Sequence, residues 1–203
     1  MFTENEIASF IESEDVKELV TNLRKEFILK EAPFLQISEH DFLSLIMLVP
    51  VIDLILLDKK VSFMEEMKIN DKARKMSKGG FFLSHDPVVH ANKFLLKKFD
   101  EWKLPFYTTL NQIISLMVDR QLLANSPAVA KKGGYVYKEA LMNAPYILIR
   151  FFSAFFLTHD EDVLKEQKVS EKYLTKVKEI GSLLQFNELS AFQLFLENFQ
   201  QKS

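Results

Sequence analysis

The chain has 203 residues, 26 lysines and arginines against 28 aspartates and glutamates, a net charge of -2, and no cysteine. This balance lacks the concentrated positive field that nucleic acid or an anionic membrane attracts, so neither is expected as a partner. The absence of cysteine excludes disulfides, thiolate zinc sites and cysteine nucleophiles, in keeping with a cytoplasmic location. Nineteen phenylalanines beside five glycines and six prolines imply a large aromatic core with few tight turns, and the length suits a single helical domain over 1–203.

The first segment carries apolar residues at Ile7, Phe10, Ile11, Leu19, Val20, Leu23 and Phe27, a helical spacing with Glu and Lys on the other face. Thr3 and Glu6 form a capping box at its start, and the spacing predicts a helix over about 4–30 with a break near Ser13. The acidic N-terminus does not read as a secretory signal. Ser38 with Asp41 starts a second helix that runs to about Asp58 and contains Pro50, a site where a helix loses a backbone bond. Ser62 with Glu65 starts a third, polar and expected at the surface, ending before Gly79-Gly80. Asp86-Pro87 starts a fourth, burying Val88, Phe94, Leu95 and Phe99. The Leu104-Pro105 step is expected to separate it from a helix over about 106–124 with a core face of Leu110, Ile113, Ile114, Met117 and Leu122.

Residues 125–134, with a proline and a Gly-Gly pair, read as the main loop, followed by an apolar helix over about 136–159. The C-terminal helices are expected over about 169–184 and 188–201. No strand-like alternation of useful length occurs, although Gly80-Phe81-Phe82-Leu83 could form a short extended piece. The apolar stretches 42–57 and 141–157 fall short of the roughly 20 residues that cross a bilayer. They also contain Pro50 with Asp53 and Pro145 with Arg150, so they read as central buried helices rather than membrane spans. The fold class is therefore all-α, a bundle of about seven or eight helices around these two.

The turn carrying Asp58, Val61-Ser62 and Glu65 resembles that of tellurite-resistance TerB-like helical domains. The resemblance covers only this turn, has Lys59 where glycine is usual, and carries no function over.

His40-Asp41, His85-Asp86 and His159-Asp160 resemble the adjacent pairs of metal-dependent phosphohydrolases, but Asp41 and Asp86 fit helix caps and Asp160 an acidic turn. His85, His90 and His159 define a metal-hydrolase reading, and no Glu-x-x-His occurs. Gly133-Gly134 lacks the Lys-Ser/Thr ending of a phosphate loop, and nothing in the chain implies a cofactor. Asp53 and Arg150 stand alone in apolar helices, where an unpaired charge would cost several kcal/mol. They pair with each other, or reach the surface, or line a cavity, with Arg150 holding an acid head group and Tyr146, Phe151 and Phe155 lining the apolar part. The leading functional reading is a non-enzymatic binding or regulatory protein acting through a protein partner or a homodimer interface. A carrier or sensor of a hydrophobic acid or other apolar small molecule comes second, and the hydrolase third.

Overall fold

The Glu39–Ile55 helix, α3, is apolar on every side, and a helix of that composition must be enclosed by others. In the computed structural model, which describes residues 2–58, 61–79, 86–118, 146–157 and 165–201, it is. Every α3 residue from His40 to Ile55 is buried. With the 3-10 turn Leu56–Asp58 it is long and apolar enough to cross a membrane by composition, yet 89% of its most apolar stretch lies inside the fold. Around it pack α1 (Glu4–Ile11), α2 (Glu14–Glu31), α4 (Phe63–Met76), α5 (Pro87–Lys97), α6 (Phe99–Met117), α7 (Tyr146–Phe156) and α8 (Glu171–Leu183). A short α9 (Ser190–Leu196) follows, and the all-α class is confirmed.

The local start signals act as the sequence implies. Thr3 with Glu6 and Ser62 with Glu65 form complete capping boxes, Ser38 Oγ accepts from the Asp41 amide, and Asp86 accepts from the Val88 amide ahead of Pro87. Ser13 begins α2 after a break at Glu12, as expected.

Three elements differ from expectation. First, the break after α5 falls at Lys98, whose amide reaches the carbonyls of both Phe94 and Leu95, and Pro105 lies inside α6. The carbonyl that Pro105 leaves without a helical partner belongs to exposed Glu101, where water can serve it. Phe94, expected inside, is 37% exposed. Second, α4 is not a surface helix: Ile69, Ala73 and Met76 enter the core, and Lys72 is buried with its ammonium on the Leu157 carbonyl. Third, Gln167–Val169 (β1) and Phe199–Gln201 (β2) pair in parallel. Strands this short carry no readable two-residue period.

Leu122, the 125–134 loop, Gly80 to Leu83, and the expected helix on either side of α7 lie outside the described residues, as do His85 and His159.

The aromatic core is built from ring contacts. Phe152, Phe156, Phe186, Phe192 and Phe195 form one cluster, with centroid separations from 5.2 Å for Phe152–Phe195 to 6.5 Å for Phe156–Phe186. Phe27, Phe42, Trp102 and Phe106 form a second between α2, α3 and α6. Edge and offset arrangements at these distances contribute beyond the area they bury.

Candidate functional site

Asp53 faces α6 and α8 from the buried wall of α3, and those helices supply its partners. Lys103 Nζ lies 3.0 Å from Asp53 Oδ2, and Lys176 Nζ lies 3.5 Å from Oδ1. Glu179 closes the circuit, 2.6 Å from Lys103 and 2.8 Å from Lys176. The four side chains form a ring of alternating charge, and Tyr107 Oη donates to Asp53 Oδ2 at 3.1 Å. Helical spacing makes this possible, since Lys103 and Tyr107 are one turn apart on α6, and Lys176 and Glu179 one turn apart on α8.

The electrostatics follow from that enclosure. Burial acts to lower the Lys103 ammonium's pKa, but its bonds to Glu179 and Asp53 outweigh it and hold the group above its ordinary value. Burial raises the Glu179 carboxyl, but the two lysines outweigh it and hold the group below the ordinary range. Burial, then the charge of Asp53 and the hydrogen bond to it, push the Tyr107 phenol well up. A cleft of about 500 Å³ opens beside the ring, lined also by Leu56, Leu96 and Lys97. Each ammonium in the ring already faces two carboxylates, so the arrangement clamps three helices together and has little positive charge left for an anion.

Arg150 does not meet Asp53. Its Nε and Nη2 donate to the two carboxylate oxygens of Glu6 at 3.0 and 2.5 Å, and its guanidinium lies 5.8 Å from the Phe2 ring. Burial raises the Glu6 carboxyl, but Arg150 and the bonds from Thr3 outweigh it and hold the group low. Phe151 and Phe155 have no exposed surface; Phe151 packs on Phe2 and Phe155, and Phe155 on Phe156 and Phe186. Tyr146 begins α7, and its side chain lies outside the described residues. The residues singled out from the sequence are thus divided, with Asp53 in the ring, Arg150 and Phe151 where the N-terminal segment meets α7, and Phe155 in the aromatic core.

The histidine-aspartate pair at the start of α3 is also inward. Asp41 accepts from Ser38 Oγ and from the Lys78 amide, and its Oδ1 lies 3.2 Å from His40 Nδ1. His40 Nε2 lies 3.2 Å from the Glu4 carbonyl. Among the described residues no three histidine, aspartate or glutamate side chains are placed to hold a metal ion.

An open apolar groove lies elsewhere. It has a volume of about 890 Å³ and runs between the C-terminal half of α2, the 33–38 linker, and the two residues Lys78 and Pro87. Ile28, Leu29, Leu35 and Ile37 form its apolar floor, while Arg24, Lys25 and Lys78 line it with positive charge. Leu29 is 78% exposed, and Phe34 in the same linker is 96% exposed. Arg24 fixes the wall, donating to the Ile37 carbonyl at 2.7 Å and to Glu39 at 2.6 Å. The sequence held one signal for this site. Leu29 lies about 200° around the helix from Phe27, off the stripe that faces the core.

The chain matches no protein-family model, and no curated protein or solved structure shows significant similarity to it.

Proposed function

We propose that the protein is a non-enzymatic binding protein whose α2–linker groove receives an apolar segment of a partner protein. The observation that carries this reading is the groove itself, with Leu29 facing water on its floor and Phe34 exposed in the linker that borders it. Large apolar side chains exposed in and beside one concave place favour an interaction surface over ordinary exterior. The polar residues elsewhere support the same reading. Thr3, Ser38, Ser62, Asp86 and Ser170 cap helices, and Asp53, Glu6, Lys103 and Arg150 are paired inside the fold. The pre-set wall made by Arg24 lowers the ordering cost of docking.

The test uses a neutral amphipathic peptide of leucine and glutamine, with leucines at helical spacing, followed by fluorescence anisotropy. Saturable binding lost on Leu29→Asp and on Phe34→Ser, with the far-ultraviolet circular dichroism spectrum unchanged, supports the groove. Binding indifferent to both substitutions overturns it. Native mass spectrometry beside a denatured control addresses the competing reading, because a mass excess released by denaturation would identify a carried small molecule.

A further inference from the structure

We infer that the segment received by this groove is acidic, an amphipathic stretch whose carboxylates flank its apolar anchors; this rests on the groove being the binding site. The argument is one of charge complementarity. Four charged side chains line the groove, namely Arg24, Lys25, Lys78 and Asp41. Asp41 is 4% exposed, and its oxygens are occupied by Ser38, His40 and the Lys78 amide, so its charge is held within the fold. Arg24 is bonded to Glu39 and the Ile37 carbonyl. Lys25 and Lys78 are exposed and both line the groove, one on α2 and the other after α4. Their charge is therefore available at the rim, where complementary charge sets approach rate, orientation and choice of partner.

The placement also fits the geometry of an amphipathic segment. Lys25 and Leu29 are one turn apart on α2, so a cation and an apolar contact stand side by side along the groove. A docked helix presenting apolar residues at i, i+3, i+4 and i+7 would carry its neighbouring polar positions toward the two lysines. A basic segment would meet like charge from both lysines.

The experiment compares three peptides of about 14 residues, four helical turns, that share leucines at those positions and differ in having glutamate, glutamine or lysine between them. Anisotropy titrations with the full chain are expected to give about tenfold tighter binding for the glutamate peptide than for the lysine peptide at low salt. The difference is expected to shrink in about 0.5 M salt, where charges are screened within a few ångströms. The double variant Lys25→Glu, Lys78→Glu is expected to reverse the order, and Leu29→Asp to weaken all three. Equal affinities for the three peptides, lost together on Leu29→Asp, overturn the acidic assignment while leaving the groove in place. Failure of all three to bind overturns both readings, as does filling of the groove by dodecanoate alone.

Discussion

Lys103 and Glu179 meet at 2.6 Å across 76 residues of chain, and the same ammonium reaches buried Asp53 at 3.0 Å. One lysine thereby ties α6 to α8 and to the last turn of α3. Burial divides the ring unequally, since the Asp53 side chain is 6% exposed and that of Glu179 is 45% exposed.

The two acids should consequently respond differently to substitution. Asp53→Ala leaves Lys103, Lys176 and the Tyr107 hydroxyl short of a buried acceptor and is expected to cost about 3–5 kcal/mol. Glu179→Gln breaks pairs that water can replace and is expected to cost about 1 kcal/mol or less. Urea unfolding followed by circular dichroism measures both. Equal losses would mean that the ring does not anchor on Asp53.

Stability should fall at both ends of the pH scale. Glu179 and Glu6 titrate below their ordinary 4.5 in the folded chain, so their contribution is complete above that value and is lost as pH falls through the folded values. Lys103 titrates above its ordinary 10.5, so its contribution is complete below that value and is lost as pH rises through the folded one. Tyr107, raised well above 10.0, acts in the same direction because the unfolded phenol ionises first. Urea midpoints are expected to form a plateau between these limits. Glu179→Gln should flatten the acid side and Lys103→Met the alkaline side; an unchanged profile in both variants would remove the ring as the source.

Arg150 makes a parallel case at the other end of α3. Its two bonds to Glu6, together with Phe2 packed at 5.2 Å on Phe151, hold α1 against α7. Arg150→Met keeps much of the stem and removes the charge-assisted bonds, at an expected cost of about 2 kcal/mol. Amide hydrogen exchange should show the loss concentrated in residues 4–11. Uniform loss of protection over the whole chain would show that α1 is not held independently.

The features legible in the sequence are those made by neighbours in the chain. The boxes at Thr3 and Ser62, the cap at Ser38 and the Asp86-Pro87 start all join residues within one helical turn, so spacing alone reveals them. Asp53 and Arg150 were marked by their apolar surroundings, but their partners lie 50 residues or more away along the chain in Lys103, Lys176 and Glu6. Helical periodicity places those partners on partly exposed faces and cannot say which acid each one meets. Leu29 and Phe34 were less legible for the opposite reason. Composition does not distinguish an apolar side chain in the core from one in water, and of the two only Leu29, off the core-facing stripe of α2, carries a signal in its spacing.

The end of α8 permits two substitutions of opposite sign. Gly181 lies against the Phe192 ring, where a methyl group would overlap its Cε1 and Cζ atoms and come within 3.0 Å of Asn187 Oδ1. The ring is held by Phe152, Phe156, Phe186 and Phe195 and has no exposed surface, so it cannot withdraw. Gly181→Ala gains about 1 kcal/mol of helix propensity, and overpacking costs about 1–3 kcal/mol, so net destabilisation is expected. Gln185, four residues on, holds φ 56° while the Phe186 amide bonds to the Gly181 carbonyl and its own amide to that of Ser182. This is the Schellman ending, in which glycine is free of the penalty that a side chain meets in the left-handed region. Gln185→Gly is therefore expected to stabilise the chain by up to about 1 kcal/mol. Thermal melts of the two variants beside the parent should move in opposite directions. A shift of both in the same direction would mean that close ring packing and left-handed backbone strain do not control this turn.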